Sequence, residues 1–369
     1  MGIRYRWPIN PNILPDELLS SWLYRCAKEN GQKMQTFCDL TSKGINIHQY
    51  DIDLIFDNKA LESFCIKLAK PKKDVFNTLL SSYNSYLYHH YSGYSAQLIL
   101  KAVIYDKDRP SFGHQFCPQC LATDPIPYFR RVWRTAFVTV CPTHGCYLRD
   151  RCESCGSPIN FIRTDIGQGK LVNELEIYNC HHCHSDLSKQ LTNHASQNLQ
   201  IGTRRLLKIL NDGFVRLPNN SWLYSFSYFG LVRYLMQLIL KQLCPNYVEK
   251  FRKALECQPL KNRVFIMKHL FSFLKQWPEE AYEFFKKHRF TRMSLINGTH
   301  PLPFWFERSL ETVWKRESFK ISEEEAESAI RWLIKQDIQP SIEILRELFQ
   351  SPGSQQLLST YNKFQAKGF

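Results

Sequence analysis

Eight side chains of the kinds that bind metals fall within one 67-residue stretch: Cys117, Cys120, Cys141 and His144, then Cys152, Cys155, Cys180 and Cys183. Each pair encloses two residues (Cys-Pro-Gln-Cys, Cys-Pro-Thr-His, Cys-Glu-Ser-Cys, Cys-His-His-Cys), a loop short enough for both side chains to reach one ion. The halves of each quartet lie 20 or 24 residues apart. This spacing predicts two tetrahedral Zn2+ sites per chain. Protein fills all four positions at each, leaving no open place for water or substrate. The expected role of both sites is therefore structural and not catalytic. Cys146, two residues beyond His144, keeps an all-cysteine quartet open as the alternative first site. His181, His182 and His184 flank the second site and read as solvated neighbours.

Other cysteine chemistries fit less well. A disulfide framework needs an oxidising compartment, whereas the chain has 13 cysteines, an odd number, and no charged-then-apolar leader in Met1 to Asn12. Thioredoxin-like catalysis uses one Cys-x-x-Cys pair in an α/β pattern, but here such pairs recur. A zinc deaminase needs Pro before its first paired Cys and an upstream His-x-Glu; Phe116 precedes Cys117, and His-x-Glu occurs nowhere. Cys26, Cys38, Cys65, Cys244 and Cys257 lie in apolar helical contexts and read as small core residues.

The elements that must carry these sites read as helices. Pro15-Asp16 opens a segment in which Leu19, Trp22, Leu23 and Cys26 fall three and four apart, and Asn30-Gly31 closes it. Further helices are expected over Leu61–Ala69, Val75–Tyr83 and Ser95–Tyr105. Within the first quartet, Pro127 to Arg134 would, as a helix, put Phe129 and Trp133 on one face and Arg130 and Arg134 on another. Arg130, Arg131 and Arg134 are candidate contacts to nucleic acid or a partner; alternatively, Trp133 fills a core and the arginines pair with carboxylates such as Asp150 and Glu153. Beyond Leu199, helical periodicity marks Ile201–Leu210, Tyr228–Leu243, Val248–Leu255, Arg263–Gln276, Glu279–Lys287 and Pro303–Arg316. Arg204 and Arg205, in the first of these, are the other candidate contacts. Ser322 with Glu325 forms a capping box before a helix to Lys335, and Ser341 caps another through Gln350. The pair suggests a helix-turn-helix, although Glu343 and Glu347 make its second helix acidic.

The expected fold is mainly α. It comprises an N-terminal helical, helix-turn-helix-like domain (1–110), a tandem zinc-binding module with little β (111–192), and a basic all-helical C-terminal domain (193–369). The formal charge is +14. Residues 1–192 hold 22 Lys and Arg against 18 Asp and Glu, whereas residues 193–369 hold 26 against 16. A field of that sign draws polyanions, nucleic acid first, and most of it sits in the C-terminal half. The metal stretch itself is neutral, and its pair spacing differs from that of DNA-reading fingers with two cysteines and two histidines, so it reads as a brace or docking surface. No apolar run reaches the ~20 residues a membrane span needs; the best, Tyr228 to Leu240, is broken by Arg233. Met1-Gly2 lacks Ser or Thr at position 6, so lipidation is not suggested, and a soluble cytoplasmic protein is expected. Phosphate-loop, His-Glu-x-x-His, nucleophile-elbow and dinucleotide-binding motifs do not occur.

Several of these residues together resemble the TniQ/TnsD family. They are Asp16-Glu17-Leu18-Leu19-Ser20-Ser21-Trp22-Leu23-Tyr24-Arg25 with Asn30-Gly31, Cys117-Pro118-Gln119-Cys120, Tyr128-Phe129-Arg130, Trp133-Arg134, Cys141-Pro142-Thr143-His144-Gly145, Leu148, Cys152-Glu153-Ser154-Cys155 and Cys180-His181-His182-Cys183. The likeness covers roughly residues 13–190. It implies a bacterial, non-catalytic adaptor that selects target sites for Tn7-like transposons. Some members bind a chromosomal attachment site; others join a CRISPR effector ribonucleoprotein (Cascade-like), in some systems as a homodimer. Both kinds are thought to recruit the AAA+ ATPase TnsC. All eight metal ligands carry over by analogy; contacts to DNA or effector do not, and the chain's length favours the effector-linked kind.

Overall fold

Leu19, Trp22, Leu23 and Cys26 form the apolar stripe of helix α1 (Leu19–Glu29), and all four are fully buried. The helix ends at Asn30, with Gly31 in the left-handed region (φ +63) that an L side chain enters only at a cost. Its start lies later than Pro15-Asp16. Asp16 has φ +57, Glu17 pairs antiparallel with Arg130, and the Leu18 N–H donates to the Phe129 carbonyl (2.9 Å), so these residues are extended and pinned to the metal stretch.

The computed structural model describes residues 5–54, 57–88, 96–102, 113–167, 169, 174–217, 222–244, 254–275, 279–288, 305–306, 321–349, 351 and 354–366. Among them are twelve α-helices and one two-stranded sheet. The chain divides into two compact units, one of residues 1–82, 93–203 and 248–263, the other of residues 83–92, 204–247 and 264–369.

In the first unit α1 is followed by α2 (Met34–Thr41), α3 (Asn58–Lys67), which Asp57 caps, α4 (Lys72–Phe76) and α5 (Pro118–Thr123). Two expected helices are absent, and a third, Val75–Tyr83, is only the end of α4, a turn and a 3-10 helix over Leu80–Tyr83. Of Ser95–Tyr105, the described residues 96–102 are non-helical: Ile99 pairs with Thr135 and the Leu100 N–H donates to the Arg134 carbonyl (2.8 Å). Pro127–Arg134 is extended and ends in a single 3-10 turn, Arg131–Arg134. Tertiary pairing with Glu17 and Leu18 overrides the helical spacing there. Trp133 nevertheless fills the core, edge-on to Phe129, which stacks on Phe161 at 4.3 Å.

Charges inside this unit are paired. Arg134, fully buried, meets Asp53 at 3.2 Å and Asp51 at 2.5 Å and donates to the Leu100 carbonyl (2.9 Å). Asp53 also accepts from the Ser20 N–H (2.7 Å) and hydroxyl (2.8 Å) of α1. Arg25 pairs with buried Glu17 at 2.6 Å. Arg263 is likewise enclosed; it donates to Gln115 Oε1 (3.0 Å) and to the Ala136 and Gln258 carbonyls, and burial, opposed by the charge of Asp150, lowers its pKa to about 10.

In the second unit α7 (Ser225–Leu243) is the buried helix, with Leu231, Val232, Leu235, Met236 and Ile239 fully enclosed. It follows α6 (Gln197–Asp212) and a hairpin of β1 (Phe214–Arg216) and β2 (Trp222–Tyr224), in which Val215 faces Leu223. That hairpin corrects the all-helical expectation. Gly213 (φ +80) ends α6, and extended Phe, Val, Trp, Leu and Tyr then pair as strands. Helices α8 (Leu260–Lys275) and α9 (Glu279–Lys287) match their periodicity. Pro303–Arg316 lies outside the described residues except Trp305 and Phe306, as does Val248–Leu255 except Ala254 and Leu255.

Ser322 caps α10 (Glu323–Lys335), accepting from the Glu325 N–H (3.1 Å), but the Glu325 carboxylate bonds Ser227 (3.0 Å) instead of closing the capping box. Ser341 caps α11 (Ile342–Leu348), which stops short of Gln350 at Phe349. A further helix, α12 (Gln355–Ala366), packs on both. No described helix is long and apolar enough to cross a membrane.

The buried pair Arg134–Asp53 yields a prediction. Burial raises the Asp53 pKa, but His114, 4.0 Å away, and Arg134 outweigh it and hold the carboxyl below its ordinary value. Asp53→Asn should cost about 3–5 kcal/mol near neutral pH by leaving Arg134 partly unpaired. A depressed folded-state pKa contributes stability above the unfolded value, lost as pH falls through the folded one. Urea melts of wild type and variant should therefore begin to converge below about pH 4.

Candidate metal centres

Three of the four ligand pairs sit in the same backbone device. In each, the first Cys N–H donates to the carbonyl five residues on: Cys141 to Cys146 (2.8 Å), Cys152 to Ser157 (2.9 Å) and Cys180 to Ser185 (2.9 Å). The N–H four residues on returns to the first carbonyl, from Gly145, Gly156 and His184, each at 2.9 Å. An antiparallel pair closes each hairpin: Val140 with Tyr147, Arg151 with Pro158, and Asn179 with Asp186. The returning residue is left-handed in all three, with φ +66, +70 and +60. Glycine meets that demand twice, and His184 meets it against its preference. The remaining pair uses a helix: Cys117 caps α5, and the Cys120 N–H points at its sulfur (3.4 Å).

The sulfurs of Cys117, Cys120 and Cys141 and one His144 nitrogen lie within 4.8 Å of one another. His144 Nδ1 is 3.6, 3.3 and 3.6 Å from the three sulfurs, and Cys120 is 3.6 Å from Cys141. A metal about 2.3 Å from each sulfur at tetrahedral angles needs edges of roughly 3.8 Å or slightly less, so the donors already outline the polyhedron. His144 Nε2, facing away, is 3.5 Å from the Thr123 hydroxyl, which orients the ring. Neighbouring thiols hydrogen-bond to Cys117 and pull its pKa far down, while Cys120, Cys141 and Cys146 are pushed up by that same neighbour. Without a cation the group favours one thiolate and resists the next. A divalent ion removes that conflict.

Cys152, Cys155, Cys180 and Cys183 form the second group, again within 4.8 Å, with Cys152 3.6 Å from Cys183 and Cys155 3.7 Å from Cys180. It is the shallower of the two, with Cys183 exposed. Ser185 Oγ lies 3.1 Å from both Cys152 and Cys183. Burial raises the Cys152 pKa, but Ser185 and the Cys155 and Ser154 N–H groups outweigh it and bring the thiol to about 6; burial pushes Cys180 to about 12. His182 and His184 are exposed and His181 half-buried, all outside the quartet. The donor sets, three sulfurs with one nitrogen and four sulfurs, fit a tetrahedral ion and leave it no open position.

The candidate contact arginines of the first unit are each taken up by carboxylates. Arg134 is fully enclosed, a correction to its expected exposure, because Asp51 and Asp53 take its charge inward. Arg130 lies over the Tyr128 and Trp133 rings and pairs with Asp124 at 2.7 Å; Arg131 pairs with Asp16 at 3.2 Å and donates to Ser82 (2.7 Å). The partners differ from Asp150 and Glu153, which bond Arg151 and Arg149. Arg204 and Arg205 are exposed on α6. Sequence reasoning passed over Thr123 and Ser185. The repeated polar residue two positions after a knuckle's second Cys, Ser157 and Ser185, was the available signal.

The described structure is mainly helical and carries two clusters able to hold metal in closed tetrahedral sets. Residues 8–148 match the TniQ family model, a likeness that supports membership of that family. No curated protein matches the chain.

Two results should follow. Protein purified without chelator should contain two metal ions per chain by elemental analysis, and Cys152→Ser should lose one and unfold its module, since such an ion supplies about 10–16 kcal/mol of apparent binding energy. Gly156 has open space around an added Cβ, so Gly156→Ala should cost only the conformational ~1–2 kcal/mol; His184→Gly should gain about 1 kcal/mol in a thermal melt.

Proposed function

We propose that this chain is a zinc-stabilised, non-catalytic adaptor for target-site selection in Tn7-like transposition, linking a guide-RNA effector complex or target DNA to the AAA+ regulator TnsC. One observation carries this reading: the TniQ match over residues 8–148 spans the donors of the first metal centre, where every position is supplied by protein. Zinc is the ion proposed for both centres, because thiolate-rich tetrahedral sets suit it and neither water activation nor redox change is called for. Under this reading the ions hold surfaces for partners and take no part in a reaction. The basic C-terminal half, with Arg204 and Arg205 exposed on α6, is the proposed side for a nucleic acid or ribonucleoprotein, and self-association as a homodimer fits the same role.

A second reading, an autonomous duplex binder that picks its own attachment site, is favoured by the two capped helices α10 and α11. Band-shift assays separate the two. The adaptor should shift no duplex at ~150 mM salt yet co-purify with a guide-RNA complex and with the ATPase. The autonomous binder should shift one duplex, with affinity falling about 10³–10⁵-fold between 50 and 200 mM salt. Arg204→Ala with Arg205→Ala should weaken whichever complex forms about tenfold, at unchanged metal content. A protein that joins neither DNA, effector nor ATPase contradicts both readings.

A further inference from the structure

We propose that Cys146 is a reserve ligand of the first metal centre: it waits beside Cys117 and completes a four-thiolate tetrahedron when His144 is withdrawn. The inference rests on the metal-binding reading of that centre. Its basis is placement. The Cys141 N–H bond to the Cys146 carbonyl (2.8 Å) fixes Cys146 directly across the knuckle from a ligand, and the flanking Val140–Tyr147 and Cys146–His194 pairs clamp its backbone. Its sulfur lies 3.5 Å from Cys117 Sγ, the edge length of the coordination tetrahedron, and the residue is fully buried. Cys120 and Cys141, 3.6 Å apart, supply the opposite edge. Cys146 thus stands against Cys117, one of the three sulfurs that His144 completes.

His144 is the donor most easily lost. It sits at the knuckle's tip, only part-buried, and its far nitrogen reaches the Thr123 hydroxyl at no better than 3.5 Å. In the exchange one metal–nitrogen bond breaks, one metal–sulfur bond forms and the Cys146 thiol proton passes to water, so no oxidant is required. The centre gains one negative charge. A cysteine serving only as core filler would need no such alignment with Cys117.

The test uses the full chain loaded with Co2+, whose sulfur-to-cobalt charge-transfer band reports thiolate count. Wild type and Cys146→Ser should each hold two ions with matching spectra. His144→Ala should still hold two, with a stronger charge-transfer band and visible bands moved to longer wavelength. His144→Ala combined with Cys146→Ser should hold one. His144→Gln, which keeps side-chain volume, should behave as His144→Ala. Loss of an ion, or precipitation, in both His144 variants overturns the proposal, as does a double variant that keeps two ions. Wild type holding fewer than two ions would instead overturn the underlying metal reading.

Discussion

Each centre gathers four donors within 4.8 Å, a separation at which thiolates repel unless a cation lies between them. The rest of the first unit leans on that condition. Phe129 and Arg130, on the chain between Cys120 and Cys141, are the residues that pair with Leu18 and Glu17 and so set where α1 begins. The Trp133–Phe129–Phe161 ring cluster lies among the same segments. A metal ion held here would position the N-terminal helices as well as its own hairpins.

Electrostatics divide the molecule's work. Within the metal stretch the arginines turn inward: Arg134 to Asp51 and Asp53, Arg130 to Asp124, Arg131 to Asp16. These charges specify packing, since a buried guanidinium is tolerated only where carboxylates and carbonyls meet it. Most of the unbalanced positive charge lies beyond residue 192, and the proposed nucleic-acid side follows from that asymmetry.

Much of this was legible in the chain. Ligand spacing identified both quartets because two-residue loops and closing hairpins are local, and the apolar stripe of α1 needed only helical periodicity. The partners of Arg130, Arg131 and Arg134 were not legible. Asp124 is six residues from Arg130, but Asp16, Asp51 and Asp53 are 81 to 115 residues from the arginines they meet, a pairing only the tertiary fold creates. The same cause defeated the helix expected over Pro127–Arg134, whose spacing was right and whose backbone was claimed by Glu17 and Leu18. The 214–224 hairpin escaped because three-residue strands carry too little alternation to stand out among helices. His184 at φ +60 escaped because nothing local marks a histidine as standing where glycine stands in the sister knuckles.

Chelation followed by two signals at once tests the central claim most directly. Metal release and near-ultraviolet circular dichroism, which reports the packed Trp22 and Trp133, should change together as chelator is added, with both ions gone when the tertiary signal collapses. A protein that surrenders both ions and keeps its near-ultraviolet spectrum and its thermal transition would show that the metal centres do not hold this fold.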